Sequence, residues 1–112
     1  MAAIANLTID QGATFSSDVT VKDANGNRFN LTGYSAAAKL AKGYASTKTR
    51  VSMTTAIDTD PTTGVVTLSL SATQTAALDA TRYVYDLEIT SAGGEVTRVI
   101  EGLIQVRPQV TT

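Results

Sequence analysis

Between residues 68 and 106 the chain alternates apolar and polar side chains with a period of two, a pattern that a helix would scatter around all its faces. Leu68 and Leu70 flank Ser69, and Tyr83, Tyr85, Leu87 and Ile89 alternate with residues such as Arg82, Asp86, Glu88 and Thr90. In a long final segment Val96, Ile100, Ile104 and Val106 fall in phase, with Thr97, Val99, Glu101, Leu103, Gln105 and Arg107 opposite. Each segment predicts a half-buried β-strand, and Ser91-Ala92-Gly93-Gly94 supplies the turn between the last two. Gly102, inside the final strand, marks either a bulge or a close backbone approach.

Upstream segments follow the same rule. Ala5, Leu7 and Ile9 alternate with Asn6 and Thr8 in a first strand that ends at Asp10-Gln11-Gly12. Phe15, Ser17, Val19 and Val21 share one face of a second, and Asp23-Ala24-Asn25-Gly26-Asn27 fits a tight reversal. Residues 35–45 are Ala-rich and have the best intrinsic helix propensity in the chain. A strand is still predicted there, because Gly33 and Gly43 leave room for only a few helical turns and both flanks are β-patterned. Val51 and Met53 open a further strand running to Ile57, and Pro61 places residues 58–64 in a turn. Ser71 followed by Gln74 three residues later reads as a capping box, predicting one short helical turn near residues 72–78. The fold expected is all-β: an immunoglobulin-like antiparallel two-sheet β-sandwich of about seven strands. The approach to Tyr83 resembles the tyrosine corner of such sandwiches, with spacing one residue looser than usual.

Composition narrows the functions. Residues 1–112 are expected to form one domain, with no internal repeat or linker. Cysteine and histidine are both absent, which removes disulfides, thiolate metal sites, the usual near-neutral general base and the commonest metal-binding imidazole. A net charge of -1 gives no electrostatic footprint for nucleic acid. No apolar run approaches the roughly 18 residues of a membrane span, and Met1-Ala2-Ala3-Ile4 lacks the pattern of a secretory signal, so a soluble compartment is expected. Neither enzymatic activity nor a cofactor or small-molecule substrate is expected.

The polar clusters read as structural. Asp23, Asn25 and Asn27 have alternating oxygen ligands, but Gly26 is misplaced for a calcium loop and no Glu closes it. Asp58, Asp60 and Thr62 are turn chemistry. Asp86 and Glu88 share one strand face as a glycosidase pair does, yet a solvated face opposite Arg98 or Arg82 explains them. Lys39, Lys42, Lys48 and Arg50 are read as a charged edge that discourages strand pairing. Asn6-Leu7-Thr8 and Asn30-Leu31-Thr32 match the glycosylation acceptor pattern by chance in a Thr-rich chain. The outer row of the last strand differs, because Val99 and Leu103 interrupt its polar residues. Either a partner or a neighbouring copy covers that row, or the strand is buried on both faces. Val99, Leu103, Gln105 and Arg107 are the candidate protein interface.

The order of Leu7-Thr8-Ile9-Asp10-Gln11-Gly12-Ala13-Thr14-Phe15, Asn30-Leu31-Thr32-Gly33-Tyr34, residues 70–78, Tyr83-Val84-Tyr85-Asp86-Leu87-Glu88-Ile89 and Gly102-Leu103-Ile104-Gln105-Val106 resembles small virion proteins of tailed phages. The likeness is to the N-terminal β-sandwich domains of baseplate upper proteins and related tail-fibre attachment modules, and it spans nearly the whole chain. It implies a non-enzymatic structural role in the virion, assembled in the host cytoplasm, with other phage structural proteins and copies of itself as partners. Baseplate upper proteins continue into a fibre or receptor-binding region, whereas this sequence stops at Thr112, which points to an adaptor or connector. A capsid decoration subunit is the alternative in the same class. A carbohydrate-binding adhesion module is the alternative outside it, although the absence of Trp leaves no aromatic platform of the usual kind.

Overall fold

The computed structural model describes residues 3–45 and 47–111, so Met1, Ala2, Ser46 and Thr112 lie outside the described residues. In chain order the strands are β1 (Ala3–Ile4), β2 (Leu7–Asp10), β3 (Phe15–Thr20), β4 (Ser35–Ala41), β5 (Val51–Ile57), β6 (Val65–Leu70), β7 (Arg82–Thr90) and β8 (Val96–Arg107). A 3-10 turn (Pro61–Thr63) precedes β6, and one short helix, α1 (Ala72–Ala76), follows it.

One sheet holds β1 and β2, both on β8, followed by β7, β4 and the first half of β5. The second holds the other half of β5, then β6 and β3. β5 belongs to both: Met53 pairs with Ala38 of β4, and the next residue, Thr54, pairs with Ser69 of β6. The path β1-β8-β7-β4-β5-β6-β3 is therefore hydrogen-bonded throughout and curls over the core. With β3 and β6 packed across from β4, β7 and β8, this is an immunoglobulin-like β-sandwich.

The inward rows form one continuous core. Tyr83, Tyr85, Leu87 and Ile89 of β7 are buried, as are Val66, Leu68 and Leu70 of β6 and Ile100, Ile104 and Val106 of β8. Residues 35–41 form a strand despite their Ala content, because β5 and β7 pair with both edges of β4 and bury Ala38 and Leu40. Two-sided pairing outweighs a propensity difference of a few tenths of a kcal/mol per residue. The helical turn has both halves of its capping box: Ser71 Oγ accepts from Gln74 N at 3.2 Å, and Gln74 Oε1 accepts from Ser71 N at 2.8 Å. Its Thr75 is fully buried, accepting from Gly12 N at 3.0 Å and donating to Ala13 O at 2.9 Å, so α1 anchors the turn between β2 and β3.

Two expectations are corrected. The first strand is split in two, raising the count to eight, and both pieces run parallel to β8, so the sandwich is antiparallel everywhere except at its N-terminal strands. The split follows from a substitution in the ladder. Tyr85 Oη donates to Ala5 O, and Leu103 N turns instead to Asn6 Oδ1 at 3.0 Å. Val96 is the second correction, because it is exposed rather than inward. The register against β7 shifts between Leu87, opposite Ile100, and Glu88, opposite Arg98, leaving Val99 as the extra residue. One inserted residue inverts the alternation beyond it. The bulge is therefore at Val99, and Gly102 is the site of close approach: a Cβ there would lie 2.2 Å from Ala5 O.

Gly64 has a different constraint. It adopts φ 71° after the 3-10 turn, with Val21 O where a Cβ would project. Gly102→Ala is expected to force β1 and β2 away from β8 and to destabilise the fold by about 2–3 kcal/mol, measured by urea unfolding. An unchanged unfolding midpoint would contradict that close approach.

Candidate interaction surfaces

The register across β4, β7 and β8 places outward-facing residues in rows. Ala41 lies opposite Val84, which lies opposite Leu103; Lys39, Asp86 and Glu101 form the adjacent row, and Arg82 stands opposite Gln105 on the other side. An apolar row thus crosses this side of the sheet between polar rows, buried at Ala41, half-buried at Val84 and exposed at Leu103. Tyr44 is 62% exposed and lines a shallow depression beside Ala41 and Val84, extending this row past the sheet edge.

Of the four residues predicted as an interface, three share this face. Leu103 is 39% exposed, and Gln105 and Arg107 are exposed beside it. Val99 does not join them. As the bulge residue it is half-buried and packs against the core. Val84 and Tyr44 are the residues that sequence reasoning missed; the available signal was a β-branched apolar residue among the outward polar positions of β7.

Two carboxylates on this face share one guanidinium. Asp86 and Glu101 are direct cross-strand neighbours, and Arg98 bridges them with Nε 3.2 Å from Asp86 and Nη1 3.3 Å from Glu101. The bulge lets Arg98 reach over both carboxylates. The basic cluster disperses as well. Lys39 sits on β4, paired on both sides, so it is not an edge residue. Lys42 forms an ion pair with Asp79, whose hydrogen bond and charge raise the lysine pKa. Arg50 donates to the carbonyls of Tyr44, Ala45 and Lys48 and ties down the loop before β5.

The Asp-rich turns use their own carboxylates. Asp23 Oδ1 accepts from Asn25 N at 2.9 Å and Asn27 N at 3.0 Å. Asp60 Oδ1 accepts from Thr62 N and Oγ1, which lowers its pKa. Among the described residues, no group of three or more acidic side chains converges as a metal site. Both acceptor-pattern asparagines also have local roles: Asn6 in the β8 ladder, Asn30 Oδ1 accepting from Thr32.

The two buried tyrosines fasten this sheet. Tyr83 completes a tyrosine corner, its hydroxyl accepting from Asp79 N at 2.9 Å. Tyr85 is 2% exposed, and burial pushes its phenol up to about 12.

No family model and no curated protein sequence matches this chain. Among solved structures it is similar to the Lin-41 filamin domain, at 17% identity over 89% of this chain and 82% of that one, with a TM-score of 0.48. An internalin-like protein of Listeria monocytogenes has 17% identity over 95% of this chain and 28% of that one, with a TM-score of 0.49. The SrpA adhesin of Streptococcus sanguinis has 15% identity over 97% of this chain and 56% of that one, with a TM-score of 0.49. At these values nothing about ligand or partner transfers.

Tyr83→Phe is expected to cost about 1–2 kcal/mol in chemical denaturation, since Asp79 N loses its acceptor. The folded chain keeps the Tyr85 phenol neutral beyond its ordinary value of 10.0, so that contribution to stability is complete below that pH and is lost between there and about 12. Denaturation midpoints measured across this range should fall more steeply for the native sequence than for Tyr85→Phe.

Proposed function

We propose that this chain is a non-enzymatic interaction module that joins subunits of a multi-copy assembly, and that the assembly is the baseplate or tail-fibre region of a phage particle. The observation that carries the interaction reading is the apolar pair of half-buried Val84 and exposed Leu103, adjacent across β7 and β8 on a sheet face between polar and charge-paired rows. Apolar side chains open to solvent inside a polar rim, as Val84 and Leu103 are, have the anatomy of a protein contact. The virion location rests on the order of short segments from residues 7–15 through 102–106, which resembles phage attachment modules. Partners in this reading are other phage structural proteins and further copies of the chain, with the virion as the site of action.

Immunogold imaging of purified particles tests the location. Label at the tail tip is expected; label on the head would replace the connector role with capsid decoration, and absence from particles would remove the virion reading. Leu103→Glu tests the surface. Its side chain already faces solvent, so thermal unfolding should stay within a few degrees of the native sequence while incorporation drops by about tenfold or more. Normal incorporation of the variant would sink the proposed contact face.

A further inference from the structure

The curled sheet is open along one seam. β2 gives one side to β8 and β3 gives one side to β6, and these two strands do not pair with each other. A polar cleft separates them, lined by Asn6, Thr8, Asp10, Thr14, Ser16 and Ser17. The bonds flanking each strand determine which backbone groups face it. Val21 N donates to Gly64 O at 2.7 Å, continuing the β3–β6 ladder, so the alternation of an antiparallel pair turns Phe15, Ser17 and Val19 toward β6. Ser16, Asp18 and Thr20 therefore direct their N–H and C=O groups into the seam, and none has a backbone partner among the described residues.

We propose that the β3 edge accepts an extended antiparallel strand from a different polypeptide, one that turns alternate apolar residues into the seam and sets a basic residue opposite Asp18. A row of unpaired donors and acceptors at strand spacing is complementary to another strand's backbone. The side chains specify the rest. Ser17 points inward at the open edge and is half-buried, as is Leu7 across the cleft, so an apolar residue entering there covers both. Asp18 is the one charge on β3, and its carboxylate is held on the outer face by the Thr67 hydroxyl at 2.6 Å. β3 also lacks the lysines, proline or bulge that block edge pairing. Symmetrical pairing of two β3 edges through all three outward residues would set Asp18 against its own copy, which disfavours a second molecule of this chain as the occupant.

This surface lies on the sheet opposite the Leu103 face, and its test is independent of virion location. The probe is a capped peptide, Val-Thr-Val-Lys-Val-Thr-Val, with a Glu-centred version as control, added at millimolar concentration to isotopically labelled protein. Amide exchange at Ser16, Asp18 and Thr20 should slow by about tenfold or more, while Ser17 and Val19, already bonded to β6, stay unchanged. Asp18→Lys should reverse the preference to the Glu peptide. Asp18→Pro removes the outward N–H together with the Thr67 contact and should abolish binding. Asp18→Asn keeps the N–H and a side-chain oxygen for Thr67, so it should still bind but lose the discrimination between the two peptides. The proposal fails if neither peptide binds, if binding leaves those three amides unprotected, or if the two peptides bind equally. A self-dimer that protects the same amides would likewise overturn it, by making a second copy the occupant.

Discussion

β8 is sandwiched between partners of opposite sense, antiparallel β7 on one side and parallel β1 and β2 on the other, and the remaining architecture depends on how the N-terminal side is fastened. The part-buried Ala5 carbonyl receives the Tyr85 hydroxyl in place of a ladder N–H, and the displaced Leu103 N–H is taken by Asn6. Each of these polar groups therefore keeps a hydrogen-bond partner. Gly102 makes it sterically possible, since any Cβ there would collide with Ala5 O. Fastening β2 to β8 commits it to the β7 sheet, so among the described residues the edge of β3 in the other sheet has no strand beside it.

That commitment gives the molecule two different surfaces. On the β4–β7–β8 side the sheet is complete and the contact-forming features are side chains: an apolar row and two carboxylates sharing the Arg98 guanidinium. On the β3 side the features are backbone groups, with a single carboxylate to bias what pairs with them. The first suits rigid docking of a preformed surface. The second suits capture of a segment that becomes ordered on binding. The proposed connector role can use both, since they lie on opposite sheets and do not compete for residues.

Much of the fold was legible because inward rows are a local pattern. Tyr83 to Ile89 and Val66 to Leu70 alternate in the sequence as they do in space, and the Ser71–Gln74 capping box needs only its own turn. The strand at residues 35–41 was legible from its neighbours, against its own propensity. The make-up of the outer sheet face was legible in part. Leu103, Gln105 and Arg107 share a face, but Val99 left it because of a bulge whose position depends on pairing with β7. Val84 was overlooked because one apolar residue among outward polar positions gains meaning only when Ala41 and Leu103 are brought beside it.

By itself, the sequence determined which segments are strands, which side chains turn inward except around the β8 bulge, where the helical turn is capped, and that no thiol or imidazole chemistry is available. These properties depend on residue type and on spacings of two to four positions, which are local. The tertiary structure alone decided that the first strand splits and runs parallel to β8, that β5 crosses between sheets, that the register slips at Val99, and that β3 keeps a free edge. Each of those is a choice of partner among strands far apart in the chain, and hydrogen-bonding groups that are identical in every residue carry no sequence label for the partner they will meet.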